Sequence, residues 1–155
     1  CPPRNHAIPL RRMWNAAKLD HFYSTYGPEV AQFGTQGYVE ETPQGLIYPV
    51  QEAGTTLFFR CDWNTGTKID HFYTADPGEF QAKVAAGCQV DSEPDIAQGV
   101  GYLYTSPICN AIPLYRMYSS SRVDHFYTID GAERQQLLTS GVYQDEGIAG
   151  YVLPN

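Results

Sequence analysis

Three Asp-His dipeptides carry the chemistry in this chain: Asp20-His21, Asp70-His71 and Asp124-His125. Each sits in one repeated hexapeptide: Leu19 to Ser24, Ile69 to Thr74 and Val123 to Thr128 all read aliphatic-Asp-His-Phe-Tyr-hydroxyl. A carboxylate beside an imidazole suggests general acid–base work. In an extended strand, however, neighbours point to opposite faces. Leu19, His21 and Tyr23 then share one face, and Asp20, Phe22 and Ser24 the other, so the Asp and His of one motif form no simple side-by-side pair. One face must line the core. The expected role is structural: each His buried and hydrogen-bonded, each Asp bonding its hairpin or pairing across it with Arg12, Arg60 or Arg116. The alternative is three imidazoles meeting on an axis as a three-His metal site, which demands approach to about 2.1 Å from the metal. The expectation is no metal and no cofactor.

Sugar recognition uses an aromatic platform with a few carboxylate or amide hydrogen bonds in a shallow, preformed pocket. Each copy of the motif has such parts nearby: Trp14 with Asn15 and Glu40, Trp63 with Asn64 and Glu93, Tyr118 with Ser119 and Glu146. The three aromatics fall at the tips of predicted hairpins, where an apolar side chain is exposed or folds back onto the core. Three weak sites on one rigid body gain avidity on a clustered glycan surface. Catalysis needs groups of different pKa in distinct roles, whereas here the polar motif is copied. No nucleophile elbow, H-E-x-x-H or P-loop occurs. A protease inhibitor or toxin-like defence protein, using a loop such as Asp91 to Val100, is the second reading.

The positioning elements follow from what surrounds the motifs. Upstream lie Ile8 to Met13, Thr56 to Cys61 and Ile112 to Met117, with polar, turn-prone stretches in between. Two aromatic or β-branched runs around such a stretch predict a β-hairpin. After each motif comes a helix signal. Asp130, Glu133 and Gly141 supply cap, first-turn acid and stop in the third copy; Asp76, Glu79 and Gly87 do so in the second, with Pro77 at the first helical position. In the first copy Gly27-Pro28-Glu29 opens a shorter helix ending by Gly34 or Gly37. Each copy closes with an acidic loop and a strand at Gly45-Leu46-Ile47, Gly101-Tyr102-Leu103 or Gly150-Tyr151-Val152. One such unit cannot bury its own apolar face, while three about a pseudo-threefold axis can. The expectation is a β-rich α+β single domain over 1–155, with repeats 1–54, 55–110 and 111–155. Its arrangement is β-trefoil-like or three-bladed propeller-like.

Four cysteines fit this scheme. Cys61 takes the place of Met13 and Met117, and Cys88 follows the helix where the other copies have Tyr38 and Val142, which predicts a Cys61–Cys88 bridge. Cys1 and Cys109 precede the Ala-Ile-Pro-Leu segments of copies one and three, which predicts Cys1–Cys109. Each bridge contributes about 2–4 kcal/mol. The opening at Cys1 without an initiator Met reads as a mature end after leader removal, and with it secretion. Of the 155 residues only ten are basic, and the net charge is −7. Scattered cations and a negative total argue against nucleic acid and anionic membranes as partners. No apolar run reaches the roughly 18 residues of a membrane span. Twelve Tyr, seven Phe and two Trp suit strands, a thin core and binding surfaces alike.

The Asp-His-Phe-Tyr cores, with Glu146 to Val152 reading Glu-Gly-Ile-Ala-Gly-Tyr-Val, resemble an uncharacterised repeat family of secreted fungal and bacterial proteins. The resemblance covers nearly the whole chain. It implies a binding role, lectin-like in stand-alone fungal forms, with glycans or glycoproteins as partners. Copies one and two keep only part of the second segment.

Overall fold

The computed structural model describes residues 1–90 and 98–155. A 3-10 turn at Arg4–His6 leads into β1 (Ile8–Pro9), β2 (Arg11–Asn15), β3 (Asp20–Ser24), α1 (Gly27–Gly34), β4 (Val39–Glu40) and β5 (Leu46–Ile47). There follow β6 (Thr55–Asn64), β7 (Ile69–Thr74), α2 (Pro77–Ala85) and β8 (Gly99–Tyr104). The chain ends with β9 (Ile112–Ser119), β10 (Asp124–Thr128), α3 (Gly131–Ser140) and β11 (Gln144–Val152). Strand outweighs helix, and the element order hairpin, helix, strand recurs behind each motif.

The hairpins β2–β3, β6–β7 and β9–β10 are antiparallel, with Arg12 opposite Tyr23, Arg60 opposite Tyr73 and Arg116 opposite Tyr127. The strands form a six-stranded sheet in the order β10-β9-β11-β8-β6-β7, a three-stranded sheet β3-β2-β4 and the pair β1-β5. The closing strands meet at their ends through Leu46–Leu153, Tyr48–Tyr102 and Tyr151–Tyr104 pairs. Two hairpins turn through a left-handed residue that is not glycine, Leu19 and Val123, both at φ 52°. That conformation costs roughly 1–2 kcal/mol. It is held by Asn15 Oδ1 accepting from Lys18 N and Ser119 Oγ accepting from Arg122 N. The second hairpin is one residue pair longer and turns through Gly66 at φ 87°.

The helices start where their side-chain oxygens dictate. Asp76 Oδ1 accepts from the amides of Gly78 and Glu79, and Asp130 Oδ1 from those of Ala132 and Glu133. Tyr26 precedes α1 and makes no such bond, consistent with its weaker start signal. The first-turn acids do not complete a capping box. Ser24 and Thr128 donate their hydroxyls to Glu29 and Glu133, which turns each acid away from its own helix end.

The motif strands are buried on both faces. Tyr23, Tyr73 and Tyr127 enter a central cluster with Leu10, Phe58, Leu103, Leu114 and Val152. Phe22, Phe72 and Phe126 point the other way, each into a satellite core. One face therefore lines the main core as expected, and the helices bury the second. The disulfides are Cys61–Cys88 and Cys1–Cys109. The first fills the satellite core that Met13 and Tyr38, or Met117 and Tyr143, fill elsewhere. The counterpart of Cys88 in copy three is thus Tyr143 rather than Val142. Two disulfides suit an oxidising compartment. Among the described residues no helix is long and apolar enough to cross a membrane.

Candidate functional site

β3, β7 and β10 lie against one another, and their polar groups bond across copies. His21 Nδ1 donates to Asp124 at 2.7 Å, His71 Nδ1 to Asp20 at 2.8 Å and His125 Nδ1 to Asp70 at 2.7 Å. The main-chain amides of these histidines approach the second carboxylate oxygens at 2.9, 3.4 and 2.9 Å. The tyrosines follow the same order. Tyr23 hydroxyl donates to Tyr127 O and accepts from Tyr127 N, Tyr73 does both to Tyr23, and Tyr127 does both to Tyr73, all within 2.6–2.8 Å. The three rings meet edge to face at centroid distances of 5.2–5.4 Å. Side-by-side pairing within a motif is blocked by strand geometry, but the neighbouring motif supplies the partner.

The expected Arg–Asp pairs do not form. Arg12 binds Glu133, Arg60 binds Glu29 and Arg116 binds Glu79, each through both terminal nitrogens at 2.8–3.1 Å. The reason is that the Asp is already committed to a histidine, while the helix of the adjoining copy presents its first-turn acid. A fork of two parallel bonds is the strongest geometry available to a guanidinium. Burial works against ionisation of Glu133, but Arg12 and Thr128 outweigh it and hold the carboxyl below its ordinary range. Glu79 is drawn down to about 2, chiefly by its bond to Arg116.

The groups that converge are carboxylates, not imidazoles. One oxygen from each of Asp20, Asp70 and Asp124 lies within 4.8 Å of the others, all buried. Among the described residues the three histidines do not come together as a ligand set: the one group that does is these three aspartates. Tyr38 and Tyr143 add hydroxyl bonds to Asp20 and Asp124 at 2.6 and 2.5 Å. Asp70, whose copy carries Cys88 there, has no tyrosine donor among the described residues, and its pKa is raised, first by burial. Burial also opposes a charge on His71 and His125, but Asp20 for the former, and Asp70 with Glu146 for the latter, raise both above the usual imidazole value.

What this frame leaves open is a set of clefts between copies. Near Trp14 a cleft of about 310 Å³ is lined by Arg12, Trp14, His21, Glu41, Arg122, Phe126, Glu133 and Gln136, with Leu137 and Tyr143. Trp14 leans on His21 at 4.3 Å between ring centroids. Glu41 bonds Arg12 Nε at 2.9 Å and stands 3.7 Å from His21 Nε2. Phe33 stacks on Phe22 at 3.7 Å in the first satellite core. Lys83 lies over Phe72 and Trp63, at 5.2 and 5.9 Å, in the second. Leu137 occupies that helix position beside Phe126 and leaves room.

A family model described as Domain of unknown function (DUF5648) matches residues 2–94 and 96–153. The chain belongs to this family. No curated protein and no solved structure matches it.

In this DUF5648 domain the sugar-site candidates fall into separate groups. Trp14 and Tyr118 each face their own histidine across the hairpin, at 4.3 and 4.5 Å. Trp63 does not: the extra residue pair puts Asp62 opposite His71 and Trp63 opposite Asp70. Asn15 and Ser119 are buried turn formers, and Asn64 Oδ1 accepts from Gly66 N in the exposed turn. Glu40 pairs with Arg11 at the surface, 2.6 Å away, and is replaced in the cleft by Glu41. Glu146 does occupy the matching place, bonded to Arg116 Nε at 2.9 Å and 3.4 Å from His125 Nε2. Glu93, with most of the loop from Asp91, lies outside the described residues. Sequence reasoning missed Glu41, Glu133, Arg122 and Gln136. The pairing of Glu40-Glu41 with Asp145-Glu146 offered a signal for Glu41 only.

Proposed function

We propose that this protein is a secreted, non-catalytic carbohydrate-binding protein whose repeats 1–54, 55–110 and 111–155 wind about one axis, each bonded to the next. The cyclic His–Asp, Tyr–Tyr and Arg–Glu bonds support the axis, whether the ring is named trefoil- or propeller-like. The observation that carries the binding reading is the Trp14 cleft. It sets an indole beside two carboxylates, two guanidiniums and the Gln136 amide, in a volume of about 310 Å³. That set matches the ring face and hydroxyl edge of a sugar.

The frame supports a non-catalytic role. The Asp-His pairs are buried and consumed by each other. Glu133, held ionised by Arg12, has no proton to give a leaving group at neutral pH, as a glycosidase acid must. A glycan array identifies the ligand, and Trp fluorescence titrates it. Trp14→Ala is expected to lower affinity at least tenfold. An array without binders, or binding unchanged in that variant, contradicts the reading.

A further inference from the structure

The residue before each closing Gly-aliphatic/aromatic pair is Gln44 in copy one, Val100 in copy two and Ala149 in copy three. All three are buried. Gln44 spans the boundary to copy three. Its Oε1 accepts from the main-chain amide of Ile129 at 2.9 Å, and its Nε2 donates to Thr42 O at 2.7 Å. Ile129 stands directly before Asp130, the N-cap of α3. Its counterpart before Asp76, the N-cap of α2, is Ala75.

Ala75 meets copy three at Ala149, whose single methyl cannot make the bond that Gln44 makes. The Ala75 amide has no acceptor among the described residues, although Ala75 is buried in the central core. An amide on a cleft wall with no protein acceptor is left to bond water or a ligand. Ala75 and Ala149 both line a cleft of about 610 Å³, which also holds Thr74, Glu79, Thr105, Arg116, Glu146 and Tyr151. At the remaining boundary Val100 is bulkier, Thr25 hydroxyl donates to Val100 O at 2.6 Å, and the cleft shrinks to about 330 Å³.

We propose that the cleft between copies two and three binds the acetamido group of an N-acyl amino sugar, with its carbonyl oxygen on the Ala75 amide. Gln44 shows the chemistry: where the chain supplies its own occupant, that occupant is a carboxamide. The rim favours a sugar over a peptide. Glu79, held ionised by Arg116, and Glu146, held ionised against its burial by His125 and Arg116, keep lone pairs for ring hydroxyls, and the Thr105 hydroxyl adds a donor. Tyr151 and Ile148 supply an apolar flank. None of the Trp14-cleft residues is involved, so this site stands or falls separately from that one.

The test is an amide-resolved nitrogen–proton NMR titration of the whole protein with N-acetylglucosamine, glucose and an N-acetylated dipeptide amide. N-acetylglucosamine is expected to displace the Ala75 resonance saturably, and glucose to move it by less than a tenth as much. Ala149→Gln, which supplies the missing carboxamide, is expected to weaken binding at least tenfold while the histidine resonances hold their positions. Gln44→Ala is expected to create a second response at Ile129. The proposal is overturned by an Ala75 resonance that N-acetylglucosamine leaves unmoved, by undiminished binding in Ala149→Gln, or by a response to the peptide alone. Failure of the Trp14 cleft appears in Trp fluorescence and leaves the Ala75 response in place.

Discussion

Replacing Tyr127 by Phe removes one oxygen and tests how the copies hold together. That hydroxyl donates to Tyr73 O at 2.6 Å and accepts from Tyr73 N at 2.7 Å. Tyr73 and Tyr127 are fully buried, so water cannot replace the lost partner. Two backbone groups are then unpaired. Each costs about 1–3 kcal/mol, because the native bond is lost while the desolvation remains. Partial relaxation of the strand lowers the sum, and the expected loss is about 2–4 kcal/mol. For a chain of this size that lowers the melting temperature by roughly 4–16 °C. Tyr23→Phe and Tyr73→Phe are expected to match it, since each makes the same two bonds to the next copy. Tyr48→Phe is the control: it is equally buried, but its hydroxyl bonds only at 3.3 Å, to Pro2 O and Tyr104. Its cost is expected to stay under about 1 kcal/mol. Urea unfolding at constant m-value measures all four. Losses below about 0.5 kcal/mol in the three central variants would refute the account of a buried tyrosine lock.

Stability is expected to be highest between about pH 4.5 and 6.5. His71 and His125 have raised pKa values in the fold, so their contribution is complete below the unfolded value and fades as pH rises through the folded ones. Glu29, Glu79, Glu133 and Glu146 are depressed, so theirs is complete above the unfolded value and fades on acidification. Urea midpoints from pH 3 to 9 check both limbs, and Asp70→Asn is expected to flatten the alkaline one. Removing the Cys61–Cys88 bridge with paired Ala substitutions is expected to cost about 2–4 kcal/mol, read from thermal unfolding. Arg116→Lys is expected to lose about 1–2 kcal/mol, because an ammonium cannot make the two parallel bonds to Glu79.

Local signals in the sequence carried far. Asp76 and Asp130 announced their helices because a cap is read from residues two or three positions apart. The hairpins and the places of Cys61 and Cys88 followed from aligning three similar stretches. What required three dimensions were the partners of His21, His71 and His125, which lie 103, 51 and 55 residues away. No local pattern states which neighbour an Asp meets, and Arg60 beside Asp70 invited a pairing that the fold gives to Glu29. The added residue pair in the second hairpin misplaced Trp63, because a one-position slip in a strand turns a side chain to the other face. Glu40 and Glu41 were separated by the same alternation.

The account rests on the repeated Asp-His-Phe-Tyr segments being an internal frame rather than reactive groups. Imidazole nitrogen–proton NMR tests this most directly. Three slowly exchanging Nδ1 protons are expected, each shifted downfield by its carboxylate: His21 to Asp124, His71 to Asp20 and His125 to Asp70. Imidazole protons that exchange rapidly and show no downfield shift would contradict it.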